Sequence, residues 1–116
     1  MKIITTDELR ELIDLNNKYL LIDVRERDEL KHGVIPTSKN IPLSEFKKAL
    51  LMSENEFIMK YNFEKPLKSE LLIVYCRTGV RACEASKIAI SLGYGAVCYK
   101  ESIWGWSKID SSVKRY

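Results

Sequence analysis

One stretch of the sequence decides the fold: Leu71-Leu72-Ile73-Val74-Tyr75-Cys76-Arg77-Thr78-Gly79-Val80-Arg81. Its first five residues are continuously apolar, which indicates a strand that is covered on both faces, as in a parallel sheet. Beyond Arg81, small and apolar residues recur at helical spacing, and Gly93 is a suitable residue to follow the last turn of that helix. The stretch therefore predicts a buried strand, a short loop that opens with Cys76, and a helix.

On both sides of this stretch, apolar runs of strand length also alternate with segments of helical pattern. Residues 19–24 and 96–99 are further apolar runs of strand length. Helix starts are predicted at Thr6-Asp7, for a helix that fades at Asn16-Asn17, and at a capping box over residues 53–56. This order of strands and helices predicts an α/β sandwich around a parallel sheet.

The composition indicates one globular domain over residues 1–116. Apolar residues make up 46% and charged residues 30% of the chain, a balance that excludes a disordered protein. The net charge of +3 is spread along the chain and does not indicate nucleic-acid binding. The apolar runs are too short to span a membrane. Because the first residues lack a secretory or transit signal, we expect an intracellular protein, cytoplasmic rather than mitochondrial.

The three cysteines are Cys76, Cys83 and Cys98, and the single histidine is His32. Their number and spacing predict neither a disulfide framework nor a zinc site, so we expect no metal and no cofactor. Cys98 is predicted to lie in the core. Cys83 is predicted to be a small helix residue, and a role as a resolving thiol is the alternative.

Cys76 is the candidate nucleophile. Ligands of open parallel sheets bind beyond the carboxyl ends of the strands, and the following helix directs its first amides and its positive end at this loop. A thiolate is stabilised in such a place. Gly79 allows successive N–H groups to turn inward, while Arg77 and Arg81 add positive charge. The loop is therefore predicted to present a reactive thiolate to anionic substrates.

These features resemble the rhodanese family of sulfurtransferases. The stretch Lys60-Tyr61-Asn62-Phe63-Glu64-Lys65-Pro66 also resembles the insertion in its small single-domain members of the thiosulfate:glutathione sulfurtransferase type. The resemblance covers about residues 6–108 and rests on these stretches: Leu21-Ile22-Asp23-Val24-Arg25, Gly33 with Ile35-Pro36, Asn40-Ile41-Pro42, Cys76-Arg77-Thr78-Gly79-Val80-Arg81, and Gly93-Tyr94 with Trp106. It implies a rhodanese-like three-layer α/β fold, with a central, mainly parallel sheet flanked by helices.

The resemblance also implies a double displacement at Cys76. The thiolate takes the outer sulfur of thiosulfate, sulfite leaves, and the persulfide passes its sulfur to cyanide or to a thiol such as glutathione or a thioredoxin-like protein. Arg77 is expected to project to solvent at the mouth of the pocket, and Arg81 to shape the pocket. The implied substrate-binding residues are Arg77, Thr78, Gly79, Val80 and Arg81. Asp23 and Arg25 are interpreted as an ion-paired scaffold.

Two alternatives stay open. One is a persulfide relay or interaction module for a protein partner, favoured slightly because Glu101-Ser102 stands where the family usually has two glycines. Side chains there would narrow the rim, and Glu101 would repel thiosulfate if it faced inward. The other is a phosphatase or arsenate reductase of similar fold. The loop length argues against it, because the four residues between Cys76 and Arg81 make a ring that suits one sulfur better than a phosphate.

Overall fold

The computed structural model describes residues 1–15 and 18–116. The strands in this part of the chain are β1 (Lys2–Ile3), β2 (Leu20–Asp23), β3 (Lys39–Asn40), β4 (Leu71–Tyr75) and β5 (Gly95–Cys98). They form one sheet in the order β1-β5-β4-β2-β3, and every neighbouring pair is parallel. The predicted α/β class with a parallel sheet is confirmed, and the sheet is parallel throughout.

Helices cover both faces of this sheet. They are α1 (Thr6–Asp14), a 3₁₀ helix (Arg27–His32), α2 (Leu43–Leu51), α3 (Glu54–Tyr61), α4 (Val80–Ser91) and α5 (Ser102–Trp106). Helices α2, α3 and α4 share one apolar cluster with the sheet, and α1 and α5 share the other. Three layers result, as the resemblance implied. No helix in the described ranges has both the length and the apolar character that crossing a bilayer requires.

Strand β4 shows why a continuous apolar run predicts a strand that is covered on both faces. Its alternate residues point to opposite faces, so that Leu72 and Val74 belong to the first cluster, while Ile73 and Tyr75 belong to the second. All four are completely buried. A strand in the middle of a three-layer fold has no solvent face, and both of its faces therefore favour apolar side chains.

The ends of two helices differ in detail from the sequence predictions. Thr5, and not Thr6-Asp7, is the N-cap of α1, because its side chain accepts the amide of Glu8 and the Glu8 carboxylate accepts the amide of Thr5. Ser53 caps α3 as predicted, although its hydroxyl, rather than its amide, binds the Glu56 carboxylate. The predicted fading of α1 at Asn16-Asn17 lies outside the described residues.

Arg25 and Asp23 form a fully buried ion pair at the end of β2, with 2.7 Å between guanidinium and carboxylate. Arg25 also donates to the carbonyl oxygens of Glu29, at 3.3 Å, and Gly33, at 2.8 Å, on the 3₁₀ helix and just after it. Burial disfavours the charge, but the hydrogen bonds and charge of Asp23 outweigh it and raise the pKa of Arg25. The pair therefore fastens the 3₁₀ helix to the sheet, in agreement with the predicted scaffold role.

We expect Arg25→Met to lower the free energy of unfolding by about 3–5 kcal/mol, because it leaves the buried Asp23 carboxylate without its cation. Urea unfolding at neutral pH measures the change. Arg10→Met is the matched control, since it breaks an exposed pair with Asp7 at 4.0 Å and should cost less than about 1 kcal/mol. Equal losses in the two variants would contradict the role given to Arg25.

Candidate active site

The sulfur of Cys76 accepts hydrogen bonds from the loop and from the start of α4. The amide of Gly79 lies 3.0 Å from Sγ, and the amide of Ala82 lies 3.4 Å from it. These N–H groups belong to the end of a helix where the backbone has no partners of its own and carries partial positive charge. Cys76 is only 1% exposed, but its sulfur is surrounded by donors rather than by hydrocarbon alone. These amide donors distinguish Cys76 from an ordinary core cysteine.

Gly79 is the residue that allows the loop to close. Its φ is +107°, a conformation that residues with a side chain rarely adopt. A Cβ atom there would lie 2.3 Å from the carbonyl oxygen of Lys100, so the loop backbone also packs directly on the segment that follows β5. Glycine is therefore required twice, for the turn and for the close approach.

Ser102 supports the loop from beneath, a role that sequence analysis missed. Its hydroxyl accepts the Cys76 amide at 3.1 Å, donates to the Tyr99 carbonyl at 2.8 Å, and lies 3.9 Å from Cys76 Sγ. The residue is completely buried, and its φ of +55° explains why a glycine would also suit this position. The expectation that Ser102 narrows the rim of the pocket is therefore wrong.

Glu101 also faces away from the loop. Its carboxylate accepts the amide and the hydroxyl of Thr6, each at 2.9 Å, and so lies at the N-terminus of α1. That position suits a negative charge, because the first amides of a helix lack internal partners. The condition under which Glu101 would repel thiosulfate is not met.

Arg81 is engaged in an ion pair with Glu29, a residue that sequence analysis did not single out. Its two terminal nitrogens donate to the two carboxylate oxygens of Glu29 at 2.6 and 3.0 Å. Glu29 also accepts the Tyr116 hydroxyl at 2.7 Å. The hydrogen bond from Arg81 is the main reason that the pKa of Glu29 falls to about 2. Near neutral pH, the charge of Arg81 is therefore balanced by Glu29 and does not simply add to the field of the loop.

Arg77 was expected to project to solvent at the mouth of the pocket. Instead, its side chain lies against aromatic rings. Its guanidinium carbon is 4.5 Å from the centre of the Tyr116 ring and 5.8 Å from the centre of the Trp104 ring. The side chain is half-buried, and among the described residues its shielded Nε atom has no hydrogen-bond partner. Within those residues Arg77 also has no carboxylate in ion-pair contact, so its charge remains available to an anion.

The remaining predicted loop residues lie at the surface or in the turn. Thr78 is exposed, Gly79 is buried in the turn, and the Val80 side chain is 76% exposed at the first position of α4. The structure thus brings Cys76, Gly79 and the Ala82 amide together. Over residues 1–15 and 18–116, no three His, Cys, Asp or Glu side chains are grouped as metal ligands.

The Arg81–Glu29 pair predicts a pH dependence of stability. The pKa of Glu29 is lowered from 4.5 to about 2 in the folded protein, so its contribution is complete above about pH 4.5 and is lost as the pH falls towards 2. Wild type should exceed Glu29→Gln in unfolding free energy by about 1 kcal/mol at pH 7, since the pair is partly exposed, and this difference should shrink steadily as the pH falls from 4.5 towards 2. Denaturant titrations over this range test it.

The control for that titration is Glu11→Gln, which removes an exposed glutamate on α1 that has no ion pair among the described residues. Its difference from wild type should stay small at every pH. A Glu29→Gln difference that does not shrink on acidification would show that Arg81 is held by something other than the carboxylate charge.

Comparison with known proteins identifies the family. The family model described as "Rhodanese-like domain" matches residues 5–109. "Thiosulfate sulfurtransferase RDL2, mitochondrial" of Saccharomyces cerevisiae is 42% identical over 97% of this chain and 78% of its own length. "Thiosulfate:glutathione sulfurtransferase" of Homo sapiens is 39% identical over 93% of this chain and 95% of its own. The solved structure "Human Single Domain Sulfurtranferase TSTD1" has a TM-score of 0.89 at 36% identity, covering 95% of this chain and 98% of that one.

The comparisons also correct the expected location. "Putative thiosulfate sulfurtransferase, mitochondrial" of Schizosaccharomyces pombe is 44% identical over 79% of this chain and 66% of its own length. Both this relative and the budding-yeast relative are named mitochondrial, which contradicts the preference for the cytoplasm over the mitochondrion. That preference rested on the lack of a recognisable signal in the first residues, and such a lack does not determine where a chain is sent.

The matches extend over nearly the whole chain and agree with the observed sheet, loop and helices. They confirm the predicted rhodanese-like fold and the predicted class of enzyme, a rhodanese-type sulfurtransferase. The chain belongs to the rhodanese-like domain family.

Proposed function

We propose that this chain moves a sulfane sulfur from thiosulfate to a thiol acceptor through a persulfide on Cys76. The observation that carries the proposal is the pair of amide hydrogen bonds to Sγ, from Gly79 and Ala82. Amide donors that converge on one sulfur stabilise a thiolate before the reaction and a persulfide anion after it. The names of the human and budding-yeast relatives, which specify thiosulfate and, in the human case, glutathione, support the same donor and acceptor classes.

The reaction proceeds in two displacements. The Cys76 thiolate attacks the outer sulfur of thiosulfate, a new S–S bond forms, and the old one breaks with its electron pair leaving on sulfite. An acceptor thiolate then attacks the outer sulfur of the persulfide, which restores the Cys76 thiolate and leaves the acceptor as a persulfide. No external oxidant or reductant is consumed, and the loop amides serve both steps because the negative charge returns to the same place.

The two loop arginines take different parts in this proposal. Arg77 supplies the attraction for the thiosulfate dianion, because no carboxylate of the described residues neutralises it. Arg81 is paired with Glu29, so its part is to hold the end of the loop on the 3₁₀ helix. Thr78 and the exposed Val80 form the outer rim, where the acceptor approaches.

Brief exposure of the protein to thiosulfate should add one sulfur atom to its intact mass, because the persulfide outlasts the departure of sulfite. Glutathione or cyanide should remove the added sulfur. Cys76→Ser should gain none and lose thiosulfate-dependent transfer by at least about 10³-fold, the scale on which a missing nucleophile acts. Cys83→Ser, on the neighbouring helix, is the control and should still gain the sulfur.

Other outcomes of this experiment separate the alternatives. A persulfide that forms but passes its sulfur only to a protein thiol, such as that of a thioredoxin-like protein, would favour a relay module. The exposed apolar side chain of Val80, beside the loop, would suit contact with such a protein. Hydrolysis of a phosphomonoester without any gain of sulfur would favour the phosphatase alternative and overturn the proposal.

Arg77→Gln should raise the KM for thiosulfate about 10-fold and change kcat much less, because attraction of the dianion acts before the sulfur is transferred. The effect should weaken at higher ionic strength, as screening predicts. Arg10→Gln removes the same charge from exposed α1 and should leave KM unchanged. A fall in kcat at constant KM would instead show that Arg77 shapes the loop.

A further inference from the structure

A second pair of sulfur atoms lies beside the Cys76 loop. Cys83, the fourth residue of α4, and Cys98, the last residue of β5, have their Sγ atoms 3.0 Å apart, and neither is in a disulfide. Helix α4 packs directly on β5, so the contact belongs to the fold itself and not to a surface loop. Two small apolar side chains that merely fill space would not require two sulfur atoms in hydrogen-bonding contact.

The two thiols differ in their access to solvent. Cys98 is completely buried, whereas Cys83 is half-buried and lines an open hollow of about 420 Å³. The charged residues of that hollow are Glu84, Lys87 and Lys100, which leave it with an excess of positive charge. A small oxidant can therefore reach the Cys83 thiol from this hollow.

The buried partner is suited to react second. Burial raises the pKa of the Cys98 thiol, and its hydrogen bond with Cys83 acts in the same direction. Cys98 therefore keeps its proton, and it meets an oxidant only through a modified Cys83. This division of roles, an accessible thiol that is attacked and a resolving thiol behind it, is the arrangement from which internal disulfides form.

We propose that Cys83 and Cys98 form a reversible dithiol site that reacts with peroxides to give an internal disulfide. The Cys83 thiolate attacks one peroxide oxygen, the O–O bond breaks, and Cys83 becomes a sulfenic acid as hydroxide leaves and takes up a proton. Cys98 Sγ then attacks Cys83 Sγ, the S–O bond breaks, and the oxygen leaves as water with the proton of Cys98. Two thiols lose two electrons in total, and the peroxide is reduced to water. A thiol reductant returns the pair to its starting state.

The site is distinct from the sulfur-transfer chemistry, although it is joined to the same loop. The Cys83 amide donates to the Gly79 carbonyl at 3.0 Å, and Gly79 in turn donates to Cys76 Sγ. The proposed reaction does not require Cys76, so it stands or falls independently of the proposed function.

The test uses the full chain with Cys76→Ser, which leaves only the two thiols in question. After treatment with hydrogen peroxide and alkylation, the intact mass should show a loss of two hydrogen atoms and no alkyl group. Dithiothreitol should restore both thiols to alkylation. Two alkyl groups after peroxide treatment, or a disulfide between two copies of the chain, would overturn the proposal.

Tryptic mapping locates the bond, because cleavage at Lys87 separates peptide 82–87 from peptide 88–100. The disulfide-linked pair has the same composition as an uncleaved 82–100 peptide that carries one oxygen. Reduction distinguishes them, since only the linked pair yields two peptides. A single peptide after reduction would count against the disulfide.

Two further variants in the Cys76→Ser background complete the control. Cys83→Ser and Cys98→Ala each keep one thiol, and neither should lose two hydrogen atoms as a monomer. Cys98→Ala should stop at a sulfenic acid or a mixed disulfide on Cys83. Because Cys98 lies in the core, circular dichroism should first show that this variant folds. The Cys76→Ser protein, which keeps both Cys83 and Cys98, tests the proposal even if the Cys98→Ala variant does not fold.

Discussion

The hydrogen bonds from the amides of Gly79 and Ala82 to the sulfur of Cys76 are the interaction on which the rest of the site depends. A cysteine that is 1% exposed would ordinarily be an inert part of the core. The difference lies in backbone geometry, because the left-handed turn at Gly79 brings the first amides of α4 onto the sulfur. The buried Ser102 hydroxyl then holds the Cys76 amide from the opposite side.

A second chain of interactions sets the charge around that sulfur. The buried pair of Asp23 and Arg25 anchors the 3₁₀ helix, and the helix places the Glu29 carboxylate on Arg81. Because Arg81 is neutralised in this way, the loop does not have two equivalent cations. Arg77, stacked against aromatic rings, keeps its charge in a defined place.

The three cysteines illustrate how surroundings decide what a thiol can do. The sulfur of Cys76 accepts hydrogen bonds from backbone amides. Cys98 is buried and contacts the Cys83 thiol, whereas Cys83 contacts the Cys98 thiol and also lines an open, positively charged hollow. All three lie within a few residues of where α4 meets β4 and β5. The start of one helix therefore contacts the sulfur of Cys76 through its amides and also carries one member of the Cys83–Cys98 thiol pair.

Much of the molecule was predictable from the chain alone because the relevant patterns are local. The apolar run of β4, the loop that begins with Cys76 and the helical spacing of apolar residues in α4 lie within one continuous segment. They were sufficient to predict the fold class and to propose Cys76 as the nucleophile. Strand β1 was missed, since it has two residues and its partner β5 lies at the other end of the chain. Only the tertiary structure could pair Glu29 with Arg81, place Ser102 beneath Cys76 and bring Cys83 to Cys98. Those contacts join residues 15 to 52 positions apart, and no local pattern records which distant side chains will meet.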